Sequence, residues 1–325
     1  MNPKQKIAFF GSDEIALPCL HALTDSSRNW QICGVLTQPD RRSGRGRSLR
    51  PNPIKNWAIQ SNIPVMDPVK PGVEEAKWIR SLGAELVLVM AYGHILNNEL
   101  LDVASSGCFN LHASILPKYR GASPIETAIA MGEEKTGVTL MEVIPRMDAG
   151  PVIDSEIVVI DEDDTGPQLR SKIADACYPL LSRNLSSLLS GDYKKNQQNE
   201  EEATYCRKLT KSDGCLDFNL TAEELACRSR AFSDWPGSFF LHEGSILRVG
   251  KMVRVSNYQK LKPGERRGGN QKSLIIGTGE GAVEILELQR PGAKMLPIQD
   301  FLRGYSLPNE IIFSSSRDQQ ELIRC

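Results

Sequence analysis

Residues 6–11, Lys6-Ile-Ala-Phe-Phe-Gly11, form a short apolar run that ends at a glycine, which is typical of a buried strand and its turn. Ser12 or Asp13 is suited to cap a following helix that runs to about Thr24. A second apolar run at residues 31–37 predicts the next strand. Strand, turn, helix and strand make a βαβ unit, whose strands are parallel. The stretch therefore predicts an α/β domain with a parallel sheet of Rossmann type.

The turn after the first strand differs from a dinucleotide-binding turn. Gly11-Ser-Asp-Glu-Ile-Ala16 has one glycine, whereas the dinucleotide fingerprint has three. The extra glycines let the backbone approach a pyrophosphate and let the helix pack closely on the strand. We therefore expect no nicotinamide cofactor.

The composition predicts two domains joined by a polar segment. The chain has 325 residues, of which 40% are hydrophobic and 24% are charged, as in ordinary globular proteins. Residues 193–207 are polar and lack apolar periodicity, so we interpret them as a linker between residues 1–192 and residues 208–325. The second part begins with a helix and continues in short strands with glycine-rich turns, a pattern typical of a small β-barrel of oligonucleotide-binding type.

The bulk numbers also exclude several classes of protein. A formal net charge of -1 means that a polyanion would have to bind at local basic patches. The 8 cysteines include no Cys-x-x-Cys pair and only 4 histidines could join them, which argues against a zinc module and a disulfide framework. No apolar run is long enough to cross a bilayer, and residues 7–10 are too short for a signal-peptide core. We expect a reduced, cytoplasmic protein without a metal.

An arginine-rich segment follows the second predicted strand. Residues 41–50 contain five arginines and no acidic residue, and two glycines separate them. One interpretation is a solvated surface loop, and the other is a loop that binds phosphates through guanidinium groups. Ligand sites of parallel sheets gather where strands end, so the second interpretation stays open.

A possible catalytic set lies in the middle of the chain. Asn110 and His112 are two residues apart, so on an extended strand their side chains point to the same face. Asp148 follows a second apolar run and precedes a glycine turn. An amide, an imidazole and a carboxylate without a Ser-x-Gly elbow or a His-Glu-x-x-His helix suit a transfer in which a substrate supplies the nucleophile.

Two further residues have structural interpretations that compete with functional ones. Cys108 is next to the catalytic set, but its apolar neighbours favour a small core residue over a nucleophile. His94 follows an apolar strand predicted at residues 85–91, and we interpret it as a loop histidine at the rim of a pocket.

The motifs resemble those of a known enzyme superfamily. The signature of the formyltransferases that use 10-formyltetrahydrofolate is similar to the segments Asn110–Pro117, Tyr119–Ile125, Thr136–Thr139 and Met147–Gly150. Residues 37–46 resemble the inserted loop of the members that act on methionyl-tRNA. The likeness continues through residues 205–209, 230–232 and 235–236, so it covers essentially the whole chain. Ile115, where the family has leucine, and the first turn, residues 11–16, depart from the pattern.

The resemblance implies an activity and a division of the chain. Residues 1–192 would be a Rossmann-type catalytic domain, residues 193–207 a linker and residues 208–325 a tRNA-binding barrel. The α-amine of methionine on initiator tRNA would attack the formyl carbon, giving formylmethionyl-tRNA for translation initiation. The catalytic residues implied are Asn110, His112 and Asp148.

The resemblance also implies two binding sets, with 10-formyltetrahydrofolate as co-substrate and no membrane partner, in a protein that we expect to be a monomer. The folate set comprises Met90, Tyr92, Gly93, Ser114, Ile115, Leu116 and Pro117. The tRNA set comprises Arg41, Arg42, Gly44, Arg45, Arg47, Lys208 and Lys211.

Three other functions remain open on the residues alone. A hydrolase could release formate from the same folate, and a relative could formylate a small amine such as a nucleotide sugar or a purine precursor. A non-enzymatic RNA-binding protein could keep a relic pocket. The arginine-rich segment and the predicted barrel favour an RNA-borne acceptor over the first two, and the three polar residues of the catalytic set argue against the third.

Overall fold

The computed structural model describes residues 4–24, 29–43, 48–255, 261–267, 273–308, 310–314 and 321–324. Its helices are α1 (Leu17–Leu23), α2 (Pro53–Gln60), α3 (Val73–Ser81), α4 (Asn98–Leu101), α5 (Pro124–Ala130), α6 (Gly166–Ser190), α7 (Ala222–Ala231) and α8 (Ile298–Gly304). Its strands are β1 (Gln5–Gly11), β2 (Trp30–Leu36), β3 (Arg41–Ser43), β4 (Ser48–Arg50), β5 (Val65–Met66), β6 (Leu86–Met90), β7 (Cys108–His112), β8 (Arg120–Gly121), β9 (Lys135–Glu142), β10 (Val152–Val159), β11 (Tyr205–Cys206), β12 (Ser238–His242), β13 (Ser245–Val255), β14 (Glu265–Arg267), β15 (Leu274–Gly277), β16 (Ala282–Gln289), β17 (Leu296–Pro297), β18 (Glu310–Ile312) and β19 (Ile323–Arg324).

The first domain contains a seven-stranded sheet of order β10-β9-β7-β6-β1-β2-β5. The pairs β1–β2, β1–β6, β2–β5 and β6–β7 are parallel, which confirms the predicted fold class. Strands β9 and β10 instead extend one edge as an antiparallel pair. The loop between them is short, and a short loop can join only antiparallel neighbours, whereas a parallel pair needs a long crossover.

Apolar side chains on both faces of this sheet form two cores. Phe9, Leu88 and Phe109 contribute to the core shared with α1 and α6. Phe10 and Cys108 contribute to the core on the opposite face, with α3 and α4. Because side chains alternate along a strand, the positions that share the face of Cys108 on β7 are residues 110 and 112.

The polar segment 193–207 lies against the first domain through specific contacts. The backbone N–H and C=O groups of Asn196 bond those of Val152, both at 2.8 Å. Further along, β11 pairs in parallel with β8 and antiparallel with β19, near the end of the chain. The division into residues 1–192, 193–207 and 208–325 remains a prediction.

The C-terminal part is a β domain with its own core. Strands β12, β13, β16 and β15 form an antiparallel sheet in that order, with β17 beside β16, and β14 pairs with β18. Phe218, Phe240 and Phe313 pack together in its core, with the rings of Phe240 and Phe313 4.7 Å apart. The class of this domain agrees with the prediction, while closure into a barrel remains a prediction.

Helix α7 joins the two parts. It begins at a capping box in which Thr221 and Glu224 bond each other's backbone N–H groups. It packs against α5, and Ala231 and Phe232 belong to the core of the first domain. In the part of the chain that the structure describes, we find no helix with the length and apolar character that a membrane span needs.

Candidate active site

The catalytic set begins at the carboxyl end of β7. Asn110 is half-buried, and no described residue hydrogen-bonds its side-chain amide. His112 is buried, with 6% of its surface exposed. The alternation of the strand puts both on the face opposite Phe109 and Leu111, whose side chains are in the core with α6. The amide of Asn110 is thus available to a ligand, while the imidazole is held by protein groups.

The ring of His112 is oriented by a backbone carbonyl. Its Nε2 is 2.9 Å from the carbonyl oxygen of Tyr119. A carbonyl can only accept, so Nε2 carries the proton of this hydrogen bond. Nδ1 then faces Asp148, whose Oδ2 is 3.7 Å away. That distance is too long for a direct hydrogen bond, but it places the carboxylate beside the ring nitrogen.

Asp148 has an unusual backbone and a well-held carboxylate. Its φ is 49°, in the left-handed region that residues other than glycine seldom adopt. Its Oδ2 accepts a hydrogen bond of 2.9 Å from the backbone N–H of Gly121. Gly121 itself must be glycine, because a Cβ there would lie 2.2 Å from the carbonyl oxygen of Cys206. The structure thus brings the three predicted catalytic residues to one edge of the sheet.

The predicted folate segment Ser114–Pro117 forms a tight turn between His112 and Tyr119. Ser114 is fully buried and donates a hydrogen bond of 2.7 Å to the carbonyl of Lys118. The Thr139 hydroxyl on β9 donates to the Ser114 carbonyl at 2.6 Å and accepts from the Leu116 N–H at 3.1 Å. Leu116 is buried, and Ile115 and Pro117 are half-buried. Because the Ser114 hydroxyl is buried and bonds Lys118, it stabilises the turn and does not extend into solvent.

The other folate segment lies where β6 ends. Met90 and Tyr92 are buried, and Gly93 is exposed with a φ of 73°. The Gln38 amide donates to the Tyr92 carbonyl at 2.7 Å, and a Cβ on Gly93 would lie 2.6 Å from the same amide nitrogen. The left-handed backbone therefore favours glycine at 93.

Two buried polar atoms in this loop lack partners among the described residues. They are the Tyr92 hydroxyl and Nε2 of His94, whose rings are 5.1 Å apart in an edge contact. Burial lowers the pKa of His94, and the charge of Arg41 lowers it further, so this ring is neutral near pH 7. Buried polar atoms are nearly always hydrogen-bonded, and this pair fits a site that a polar ligand completes.

The predicted tRNA residues lie in two places. Arg41 is exposed and its guanidinium donates to Gln38, while Arg42 is in β3, which pairs with β4. Lys208 and Lys211 are exposed, and neither is in an ion pair with a described residue. The remaining predictions, Gly44, Arg45 and Arg47, lie outside the described residues.

A cleft of about 480 Å³ separates the first domain from α7 and the segment around residue 208. Its walls include Lys208 and Trp235, whose surface is 51% exposed. Asn110, His112 and Asp148 do not line it, but Ala122 and Ser123, directly after Gly121, do. In the sequence, Trp235 is recognisable only as part of a family motif. Its position in the wall of the cleft is visible only in the tertiary structure.

Sequence reasoning missed Arg120, Gln198 and Tyr205 as members of the site. Gln198 donates to the backbone carbonyl of Asp148 at 2.8 Å, and Arg120 donates to both Gln198 and Tyr205. Arg120 and Tyr205 were quoted as parts of motifs, but Gln198 lies in a polar run without periodicity, so no pattern could have indicated it.

Cys108 is a core residue. Its thiol is buried against the apolar side chains of the face that carries Val87 and Val89, and burial raises its pKa well above the usual range. A thiol that stays protonated is a poor nucleophile. Among the described residues, no three His, Cys, Asp or Glu side chains form a group suited to hold a metal ion.

Family models match both parts of the chain. Residues 5–185 match the family described as "Formyl transferase", and residues 208–306 match "Formyl transferase, C-terminal domain". A sugar 3N-formyl transferase, WlaRD, solved in the presence of dTDP and 5-N-formyl-THF, shares the fold with a TM-score of 0.65 at 20% identity, over 89% of this chain and 99% of that one. An N-formyltransferase from Helicobacter canadensis also has a TM-score of 0.65, at 18% identity over 88% and 99% of the two chains.

Closer relatives are found among curated proteins. The methionyl-tRNA formyltransferase of Methylococcus capsulatus is 39% identical over 93% of this chain and 97% of its own length. That of Sulfurihydrogenibium sp. is 36% identical over 93% and 97%. The match spans both domains of the chain at a level of identity that shows common family membership. This chain belongs to the methionyl-tRNA formyltransferase family.

Proposed function

We propose that this protein transfers the formyl group of 10-formyltetrahydrofolate to the α-amino group of methionine on initiator methionyl-tRNA. Family membership over nearly the whole chain supports the reaction. The observation that carries the catalytic assignment is the 3.7 Å contact between Nδ1 of His112 and the Asp148 carboxylate, on the strand whose Asn110 amide has no hydrogen-bond partner among the described residues. These are an imidazole beside a carboxylate and an amide that can donate a hydrogen bond to a substrate, at the carboxyl end of β7.

The co-substrate supplies an activated formyl carbon, and the site residues stabilise the change in charge around it. The Asn110 amide donates to the formyl oxygen as negative charge develops there. In the proposed mechanism, the protonated form of His112 stabilises the same charge, and Asp148 orients its ring. The attacking amine must lose a proton and the departing nitrogen must gain one, so no net proton is consumed. Asp148 can accept the proton of the amine directly or through water.

Folate binding is proposed for the loops at the ends of β6 and β7. The buried atoms of Tyr92 and His94, which have no partner in the described part of the chain, fit the polar edge of a pterin, which carries several donors and acceptors. The neutral ring of His94 can donate or accept, according to its tautomer. The Ser114–Pro117 turn would contribute backbone and apolar surface, since the Ser114 hydroxyl is committed to Lys118.

The acceptor end of the tRNA is proposed to enter the cleft beside α7. Lys208 and the exposed Trp235 offer a cation for phosphate and a ring on which an unpaired base can stack. Arg41, Arg42, Arg45 and Arg47 around Gly44, together with Lys211, would add phosphate contacts. Because the net charge is -1, tRNA binding depends on such local clusters.

One assay tests the function against its rivals. Purified protein is given 10-formyltetrahydrofolate and charged initiator tRNA, with water, free methionine and a nucleotide-linked amino sugar as competing acceptors. Formylmethionyl-tRNA should be the main product. Formate released without it would indicate the hydrolase, and formylation of the small amine would indicate the second rival. No turnover with any acceptor, but retained tRNA binding, would indicate a relic pocket.

We also propose that the protein acts in the cytoplasm, where translation begins, and that it is a monomer with the domain division given above. Light scattering after size-exclusion chromatography tests the oligomeric state, and a mass near 36.0 kDa is expected. A mass near twice that value would contradict the monomer.

A further inference from the structure

Three consecutive residues hold the catalytic set from one side. The Tyr119 carbonyl accepts the hydrogen bond from His112, and the Gly121 N–H donates to the carboxylate of Asp148. Arg120 lies between them in β8. Backbone groups of its two neighbours therefore contact the imidazole and the carboxylate, so Arg120 lies at the centre of the segment that orients them.

The side chain of Arg120 is fully buried and all five of its N–H donors are used. Nε and Nη2 donate to Oε1 of Gln198 at 3.0 and 2.7 Å. Nη2 and Nη1 donate to the two carboxylate oxygens of Glu200 at 2.9 and 3.1 Å. Nη1 also donates to the Tyr205 hydroxyl at 2.9 Å. A guanidinium has five N–H groups in a rigid plane, so this set of partners fixes its orientation.

Arg120 in turn determines which way Gln198 faces. A guanidinium only donates, so the amide oxygen of Gln198 must point toward it and the amide nitrogen must point away. That nitrogen donates to the carbonyls of Asp148 at 2.8 Å and Gly150 at 2.7 Å, which uses both of its hydrogens. Gln198 therefore connects the buried guanidinium of Arg120 to the backbone of the turn that carries the Asp148 carboxylate.

The backbone conformation of the turn at Asp148 depends on contacts such as the hydrogen bond from Gln198. The left-handed backbone at Asp148 is strained for a residue other than glycine and persists only where surrounding contacts hold it. The Gly121 N–H holds the carboxylate end of the residue, and Gln198 holds its backbone. Both contacts originate from the pair Arg120–Gly121, one directly and one through Gln198.

We propose that Gln198, oriented by Arg120, is a positioning residue that holds Asp148 in the geometry required for formyl transfer. The inference rests on the proposed function. Gln198 touches the backbone of the turn and acts on the reaction only through the carboxylate. The segment between the domains therefore contributes to the catalytic geometry as well as connecting them.

Gln198→Glu tests the donor role with little change of shape. The new carboxylate still accepts from Arg120, but it offers an oxygen to two carbonyls in place of the two N–H groups. We expect kcat to fall about 100-fold, as for a small displacement of a catalytic group. The KM values for tRNA and for the formyl donor should change less than about threefold, because neither substrate is bound by Gln198.

Asn199→Ala is the matched control. Asn199 is the next residue, and its Oδ1 accepts from the N–H of Glu201 at 3.1 Å, without a contact to Asp148. Its removal disturbs the same segment and should leave kcat near the wild-type value. Gln198→Met, which keeps the length and removes both donors, provides a second variant if Gln198→Glu folds poorly, and thermal unfolding reports on each.

A double-mutant cycle separates positioning from general stability. In an Asp148→Ala background, Gln198→Glu should cause little further loss, because the group through which it acts is gone. Near-normal kcat in both Gln198 variants, or a full additive loss in the double mutant, would overturn the inference. Wild-type protein that makes no formylmethionyl-tRNA would instead overturn the proposed function, so the two failures are distinguishable.

Discussion

Two arginines, Arg120 beside the catalytic set and Arg41 in the arginine-rich segment, differ in burial. We call the carboxyl end of β7 with Asn110, His112, Asp148 and Arg120 the catalytic edge. At the edge, Arg120 is fully buried, all of its donors are taken, and its contacts lead to Asp148. In the segment, Arg41 is exposed, and β3 and β4 pair only with each other among the described strands. A buried guanidinium that makes five hydrogen bonds to three residues is held in one geometry, whereas an exposed guanidinium can contact a phosphate.

This difference separates two kinds of effect. Changes at the catalytic edge should reduce the rate of the chemical step and leave tRNA binding nearly intact. Changes in the arginine-rich segment should weaken the use of tRNA and its dependence on salt, with kcat little altered. A variant at the catalytic edge that weakened tRNA binding, or a variant in the arginine-rich segment that lowered kcat, would show that the two regions are coupled.

The largest effect is expected for Asn110→Ala. Loss of a donor to a developing oxyanion lowers kcat by about 10²–10³-fold, while tRNA binding, measured by filter retention, stays within the wild-type range. Asp148→Ala should also reduce turnover strongly. Asn98→Ala, an exposed position at the start of α4, is the control and should keep normal turnover. Near-normal turnover in either catalytic variant would contradict the role assigned to that residue.

A smaller effect is expected for Arg45→Ala. Loss of one phosphate contact should raise the KM for tRNA several-fold and reduce the slope of log binding constant against log salt by about one. Steady-state kinetics and binding titrations over a series of salt concentrations measure both quantities. Arg303→Ala, an exposed arginine paired with Asp300 in α8, serves as the control. An unaltered salt slope would contradict phosphate binding by the segment.

The smallest effect is expected in the pH dependence of the free energy of unfolding, through the titration of Glu200 beside Arg120. A hydrogen bond from Arg120 lowers the pKa of Glu200, against a smaller opposing effect of burial, and Arg146 lowers it further. In the unfolded chain a glutamate carboxyl titrates at about pH 4.3. The stabilisation is therefore fully present above that pH and is lost as the pH falls through the lowered pKa of Glu200. Tyr205, whose hydroxyl also accepts a hydrogen bond from Arg120, is not ionised at these acidic pH values.

Glu200→Gln should therefore flatten the acid side of the stability curve. Urea unfolding of both proteins between pH 3 and pH 7 provides the measurement, with unfolding free energies compared at each pH. The wild type should lose more stability on acidification than the variant. Equal slopes would show that the Arg120–Glu200 pair does not contribute to acid sensitivity, and Glu74→Gln in the exposed Lys77 pair is a control expected to change little.

Local sequence patterns were sufficient to predict features that depend only on residues close together in the chain. The apolar runs at β1, β2 and β6 predicted buried parallel strands because each run is buried on both faces of a parallel sheet. The spacing of Asn110 and His112 predicted a shared face, because alternation is a property of any extended strand. Helix α3 was not predicted from the sequence, and the antiparallel β9–β10 edge depends on a loop geometry that periodicity does not report.

The sequence by itself determined the fold class, the family and the three residues proposed to act on the formyl group. These follow from alternation, apolar runs and motifs, which are short-range features of the chain. Only the tertiary structure decided how Asp148 is held, because Gln198 lies 50 residues away and in a run without any pattern. Hydrogen bonds between distant segments depend on where the whole chain folds, so a residue such as Gln198 is found only by its contacts.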